Sequence, residues 1–211
     1  MGLGDAAAAG FMLAASVALV VEAAERSPAR TAAGAALGIA FIAAARRLVA
    51  GYQGAHLGVL RGVDAKRALV IVVVMTVHSF AEGAGVGVSF GGGETLGLLI
   101  TLAIALHNIP EGLAISLTLV PRGVSVRAAA GWSIASSLPQ PLVAVPAFLL
   151  VESVAPALPV GFGFAAGAMT WMTVAELLPA ARAAAGRGEV AAAAAVPFAA
   201  LVVLQWTLLG R

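Results

Sequence analysis

Leu106-His107-Asn108-Ile109-Pro110-Glu111-Gly112 lies in the middle of a long apolar run, 98–120, and the preceding run, 68–90, holds Val77-His78-Ser79-Phe80-Ala81-Glu82-Gly83. Both read His-x-x-x-Glu-Gly. A spacing of four puts each His and its Glu on one helix face, and runs of about 20 apolar residues can cross a bilayer as helices. Consecutive spans run in opposite directions, so the two copies form an inverted repeat. A carboxylate at the centre of a span costs about 2.5–3.5 kcal/mol even on the lenient insertion scale. Two glutamates and two histidines at one depth therefore need a compensating partner, and a divalent cation is one. His78, Glu82, His107 and Glu111 together offer two nitrogens and two oxygens, a set suited to zinc and also to iron(II) or manganese(II). The competing reading of a single His-Glu pair is a polar clamp between helices; two matched pairs favour the metal.

The rest of the chain agrees with a membrane setting. Of its 211 residues 61% are hydrophobic and 10% are charged, with a mean hydropathy of +1.02, whereas soluble domains carry about 25% charge. There is no cysteine, which excludes disulfides and thiolate ligands. The net charge of +2 reflects loop arginines and does not point to nucleic acid. The first five residues, Met1 to Asp5, lack the basic region of a secretory signal. Seven stretches qualify as spans: 6–24, 31–49, 68–90, 98–120, 128–151, 160–180 and 190–209. The expected fold is all-α, a polytopic membrane bundle of about seven helices, with 51–67 as a cytoplasmic loop. Nine basic residues (Arg46, Arg47, Arg61, Lys66, Arg67, Arg122, Arg127, Arg182 and Arg187) fall on one side, against Arg26, Arg30 and Arg211 on the other. The richer side is expected to be cytoplasmic. That puts the N-terminus inside and the C-terminus outside.

A second internal match links the first and sixth spans: Ala8-Ala9-Gly10-Phe11-Met12 with Ser16-Val17-Ala18, and Ala165-Ala166-Gly167-Ala168-Met169 with Thr173-Val174-Ala175. Inverted repeats around a polar midplane site mark secondary transporters. Pro110 is expected to kink the fourth span beside the site, and Pro139-Gln140-Pro141 to interrupt the fifth. Small residues are abundant in the spans; they allow close helix packing or reflect a compositional bias. Ser79 and Asn108 could supply neutral oxygens to a second ion, with Glu82 and Glu111 bridging. Glu176 is read as either a pathway residue or a side chain reaching the interface, and His56 as either a solvated loop residue or a catcher of outgoing metal.

HNIPEG in one span, HSFAEG in the span before it and AAGAM…AELLP later together resemble the ZIP (Zrt/Irt-like) family of divalent metal transporters. The resemblance implies an eight-helix fold, with its first and last three helices related by inverted symmetry around a central pair, and a binuclear site. The first metal would lie on His78, Glu82, His107 and Glu111. The second would lie on Asn108, the two bridging glutamates and the position of Ser79. The family's sixth helix usually adds a Glu at the place of Gln140, and Glu176 matches an acidic position of its seventh. Three departures stand out: no counterpart of the family's first helix, Ser79 for Asn, and Gln140 for Glu. The first site is thus expected to be intact and the second weak or empty.

The function expected is transport of divalent cations toward the cytoplasm across the cell (inner) membrane. Zinc is the first choice, with Fe2+, Mn2+ and Cd2+ as alternatives. The expected partners are the ion, the lipid bilayer and, as an option, a second copy in a homodimer. Two rivals remain: an intramembrane zinc-dependent hydrolase, since zinc with an open position activates water, and a metal-binding membrane protein that does not transport.

Overall fold

A computed structural model describes residues 2–51 and 62–209. Helices α1 (Gly2–Arg26), α2 (Pro28–Gly51), α3 (Gly62–Gly91) and α4 (Glu94–Leu119) are each continuous. The next two spans are broken. Helices α5 (Val126–Ser137) and α6 (Pro139–Ser153) make one, and α7 (Leu158–Met172), a π-helical turn (Thr173–Leu177) and α8 (Leu178–Ala184) make the other, before α9 (Arg187–Leu209). Among the described residues there is no strand, and seven helical segments are long and apolar enough to cross a membrane. The molecule is a polytopic helical membrane bundle. Helix α3 starts six residues before the expected span, so its first turns fall within the stretch expected as loop; His56 lies outside the described residues.

Each break has a chemical cause. Pro139 and Pro141 have no N–H to give to the preceding turn, so the fifth span restarts with proline in its first turn, where a donor would be orphaned anyway. Pro179 acts similarly within the sixth span. The Leu178 N–H reaches back to the Thr173 carbonyl, five residues earlier, and the extra residue shifts the helical phase where Glu176 sits. Single-turn π-bulges of this kind concentrate at functional sites. Helix α4, by contrast, stays helical through Pro110.

Helices α1 and α7 form the centre, where Met12, Leu19, Phe162, Met169 and Met172 are fully buried. Around them α2, α5–α6 and α9 present leucines, isoleucines and valines outward, as lipid-facing surfaces do. Close approach at the α2–α7 interface depends on glycine. A Cβ on Gly34 or Gly38 would collide with the carbonyls of Val160 and Phe164, and one on Gly163 or Gly167 with those of Thr31 and Ala35. Both pairs are spaced four apart, the small-xxx-small pattern that brings membrane helices into backbone contact. Gly83, directly after Glu82, likewise lets α3 lie against the Gln140 backbone at the α5–α6 break. The fold thereby carries Gln140 to the side of Glu82.

The two helices of the second sequence match also share contacts. Ser16 donates to the Met12 carbonyl at 2.8 Å, and Thr173 to the Met169 carbonyl at 2.8 Å. Gly10 meets the Ala194 carbonyl of α9 in the way that Gly167 meets that of Ala35 in α2.

Candidate metal centre

Helix periodicity aims Glu82 of α3 and both His107 and Glu111 of α4 at one point. His107 Nε2 lies 3.1 Å from Glu82 Oε1 and 3.0 Å from Glu111 Oε1. One ligand atom from each of the three residues falls within 4.8 Å of the others. His107 and Glu82 are fully buried, and the Glu111 side chain is 8% exposed. Short as these separations are, Glu82 Oε1, His107 Nε2 and Glu111 Oε1 make no hydrogen bond, and neither does His107 Nδ1. Buried hydroxyls elsewhere in the spans, such as Ser16, Ser136 and Thr173, are satisfied by their own helix backbone. Leaving a buried polar atom unpaired costs about 1–3 kcal/mol, more for a charged group, so these three facing atoms need a shared cation, which a proton on His107 Nε2 or a metal ion could supply. Two carboxylate oxygens and one imidazole nitrogen match the ligand chemistry of zinc and its divalent neighbours.

The structure places the other sequence-derived candidates around this trio in two groups. The first is an amide relay. Asn108 Nδ2 donates to Gln140 Oε1 at 2.8 Å, and Gln140 Nε2 donates to Glu82 Oε2 at 3.3 Å. Glu82 therefore turns one oxygen to the trio and the other to the relay. Beyond the relay, toward the α3–α4 connection, a cavity of about 350 Å³ is lined by Val86, Thr101, Ile104, Asn108, Gln140 and neighbours. Ser79 is buried next to His78 in α3.

The second group lies on the opposite side, toward the α2–α3 end. His78 is buried, but it is not one of the three converging residues. Its Nδ1 lies 2.7 Å from the Val74 carbonyl, and its Nε2 lies 3.4 Å from Glu176 Oε2. The other oxygen of Glu176 lies 3.3 Å from Arg46 Nε, and the Arg46 guanidinium sits 5.5 Å from the centre of the Trp171 ring. A cleft of about 10 Å³, about one water's worth, is lined by Ile42, Arg46, Val74, His78 and Glu176 among others. The pairing of His78 with Glu176 and the presence of Arg46 were missed by sequence reasoning. The one sequence mark of the π turn that aims Glu176 is Pro179, three residues after it.

The profile of the family described as ZIP Zinc transporter matches residues 59–198. The Arabidopsis thaliana protein named "Putative zinc transporter At3g08650" is 47% identical over 207 residues, covering 97% of this chain and 33% of that protein. "Zinc transporter GufA" of Myxococcus xanthus is 32% identical over 113 residues, covering 53% of this chain and 44% of that one. The chain thus spans between a third and a half of the length of these relatives. The match covers both His-x-x-x-Glu-Gly helices, the amide relay and Glu176, so the chain belongs to the ZIP zinc transporter family.

Proposed function

We propose that this chain carries divalent metal ions, zinc before iron, manganese or cadmium, across the cell (inner) membrane toward the cytoplasm. The supporting observation is the buried trio Glu82, His107 and Glu111, whose ligand atoms converge on one point. His78, one helical turn from Glu82, is the fourth ligand when its imidazole swings from Glu176 toward the trio. The basic-residue asymmetry supports a cytoplasmic α2–α3 end and N-terminus and an external C-terminus. On that orientation an ion arrives through the cavity at Asn108 and Gln140, and leaves past His78 and Glu176. The matching glycine and hydroxyl contacts of α1 and α7 support an inverted repeat, the architecture in which one bundle rocks against another around a midplane site. A hydrolase is disfavoured, because the cavity beside the site is lined by the two amides and not by the trio.

Zinc uptake into proteoliposomes, read by an internal dye, tests the reading. The His107→Ala/Glu111→Ala double variant is expected to fall to the level of empty vesicles. Saturable zinc binding with no flux in the parent would instead support the non-transporting alternative.

The amide relay bears on how many ions the centre holds. Glu82 Oε2, a candidate ligand of a second ion, accepts from Gln140, and the Asn108 side chain is oriented by donating its Nδ2 to the same Gln140. One ion at the midplane is the expected resting state. Gln140→Glu replaces a donor with an acceptor beside Glu82, and a second cation then becomes the compensating partner. The midplane zinc count, measured by equilibrium dialysis, should rise from one per chain to two; an unchanged count would show that the relay does not exclude the second ion.

A further inference from the structure

The His78–Glu176 pair is built like a second metal station, with a cation already tethered to it. A backbone carbonyl can only accept, so the 2.7 Å contact with Val74 makes His78 Nδ1 the N–H nitrogen. In the neutral ring the Nε2 lone pair then faces Glu176 Oε2 at 3.4 Å. Two acceptors facing each other across that distance can share a cation, whether a proton on Nε2 or a metal ion. His78 is 2% exposed and Glu176 16%, so water relieves the conflict only in part. The remaining carboxylate oxygen is held by Arg46 at 3.3 Å. Arginine keeps its charge at any physiological pH. The guanidinium lies against the Trp171 ring while it holds Glu176, so Arg46 can release Glu176 without losing all its contacts.

We propose that Arg46 is a tethered competitor for Glu176: it holds the carboxylate while no ion sits between Glu176 and His78, and by reclaiming it makes this pair a station that a divalent ion leaves rather than a second resting site. The proposal rests on the transport reading above. An ion handed from the midplane trio to His78 would meet Glu176, displace the guanidinium, which stays against Trp171, and be expelled as Arg46 returns. The ion exchanges one carboxylate oxygen with a built-in cation, and no bond to hydrogen forms or breaks.

The test is a zinc titration of the purified full chain, alongside uptake kinetics in proteoliposomes. A partly exposed ion pair is worth up to about a fivefold change in an equilibrium. Arg46→Gln is expected to tighten a second zinc site by up to about fivefold by that measure, and to lower both KM and maximal uptake because the ion lingers. Arg46→Lys, which keeps the charge, should restore parental binding. Arg46→Gln/Glu176→Gln should lose the added site. A structural role for Arg46 would not tighten zinc binding or be reversed by lysine. If Arg46→Gln leaves second-site binding unchanged while the parent still binds zinc at the trio, the tethered-cation proposal is overturned and the transport reading stands. If the parent and His107→Ala/Glu111→Ala bind and transport alike, both fall.

Discussion

Replacing Glu82 with glutamine should abolish zinc uptake and remove most of the stabilisation that zinc confers, while the chain still folds. Glu82 is the one residue shared by the trio and the amide relay, with Oε1 3.1 Å from His107 Nε2 and Oε2 accepting from Gln140. Glutamine preserves the shape and the helix but takes away the anionic ligand. Losing even an outer-shell partner of a metal typically costs 10–100-fold in affinity, so about 100-fold is a conservative expectation for a ligand itself. At a free zinc concentration of about 100 times the parental Kd, binding stabilises the folded state by about 2.7 kcal/mol. A 100-fold weaker site at the same zinc concentration contributes only about 0.4 kcal/mol by the same relation. The readout is the zinc-dependent rise in Tm together with dye-reported uptake. A Glu82→Gln protein that keeps both would show that the trio does not hold the transported ion, whereas loss of uptake with the Tm rise intact would separate binding from movement.

Much of this centre is legible in the sequence because a helix fixes what lies one turn away. Four-residue spacing is enough to put Glu111 under His107 and Glu82 under His78, and a matched pair in adjacent spans is enough to suggest that they meet. The break at Gln140 could be read from the prolines on either side of it, while its place at the site followed only from the family resemblance. What local spacing does not carry is the rotational phase of a distant helix. Glu176 reaches His78 only after the π turn at Thr173–Leu177 has shifted the register of its span, so periodicity counted from Gly167 gives the wrong azimuth. Arg46 is a similar case. In sequence it is one of nine basic residues that orient the chain, but in the bundle its side chain lies over Trp171 and against Glu176. In the bundle His78 thus faces Glu176, a partner that local spacing did not show.

The glycines were the least legible feature, since high alanine and glycine content is equally the mark of a biased composition, and the spacing alone does not say which helix a glycine faces. They carry the second large expected effect. A Cβ at Gly167 meets the carbonyl, Cα and carbonyl carbon of Ala35 together. Those are backbone atoms of a continuous helix, and none can turn aside as a side chain would. Gly163, Gly34 and Gly38 make the equivalent demand along the same seam, so α7 cannot tilt to relieve one contact without closing another. Overpacking a tight site costs about 1–3 kcal/mol and at times more. Gly167→Ala is expected to lose about that much stability, and Gly167→Leu to keep α2 and α7 from docking. Gly131 on α5 has no neighbour within 4 Å of its added Cβ, so Gly131→Leu is the matched control. In detergent, the monodisperse fraction after heating should fall sharply for Gly167→Leu and stay parental for Gly131→Leu. Gly167→Ala should also lose function out of proportion to its stability, because this seam sets the distance between Arg46 on α2 and Glu176 below α7. Equal heat resistance of the two leucine variants would mean that the seam is looser than its backbone contacts imply, and that the position of Arg46 is set by Trp171 instead.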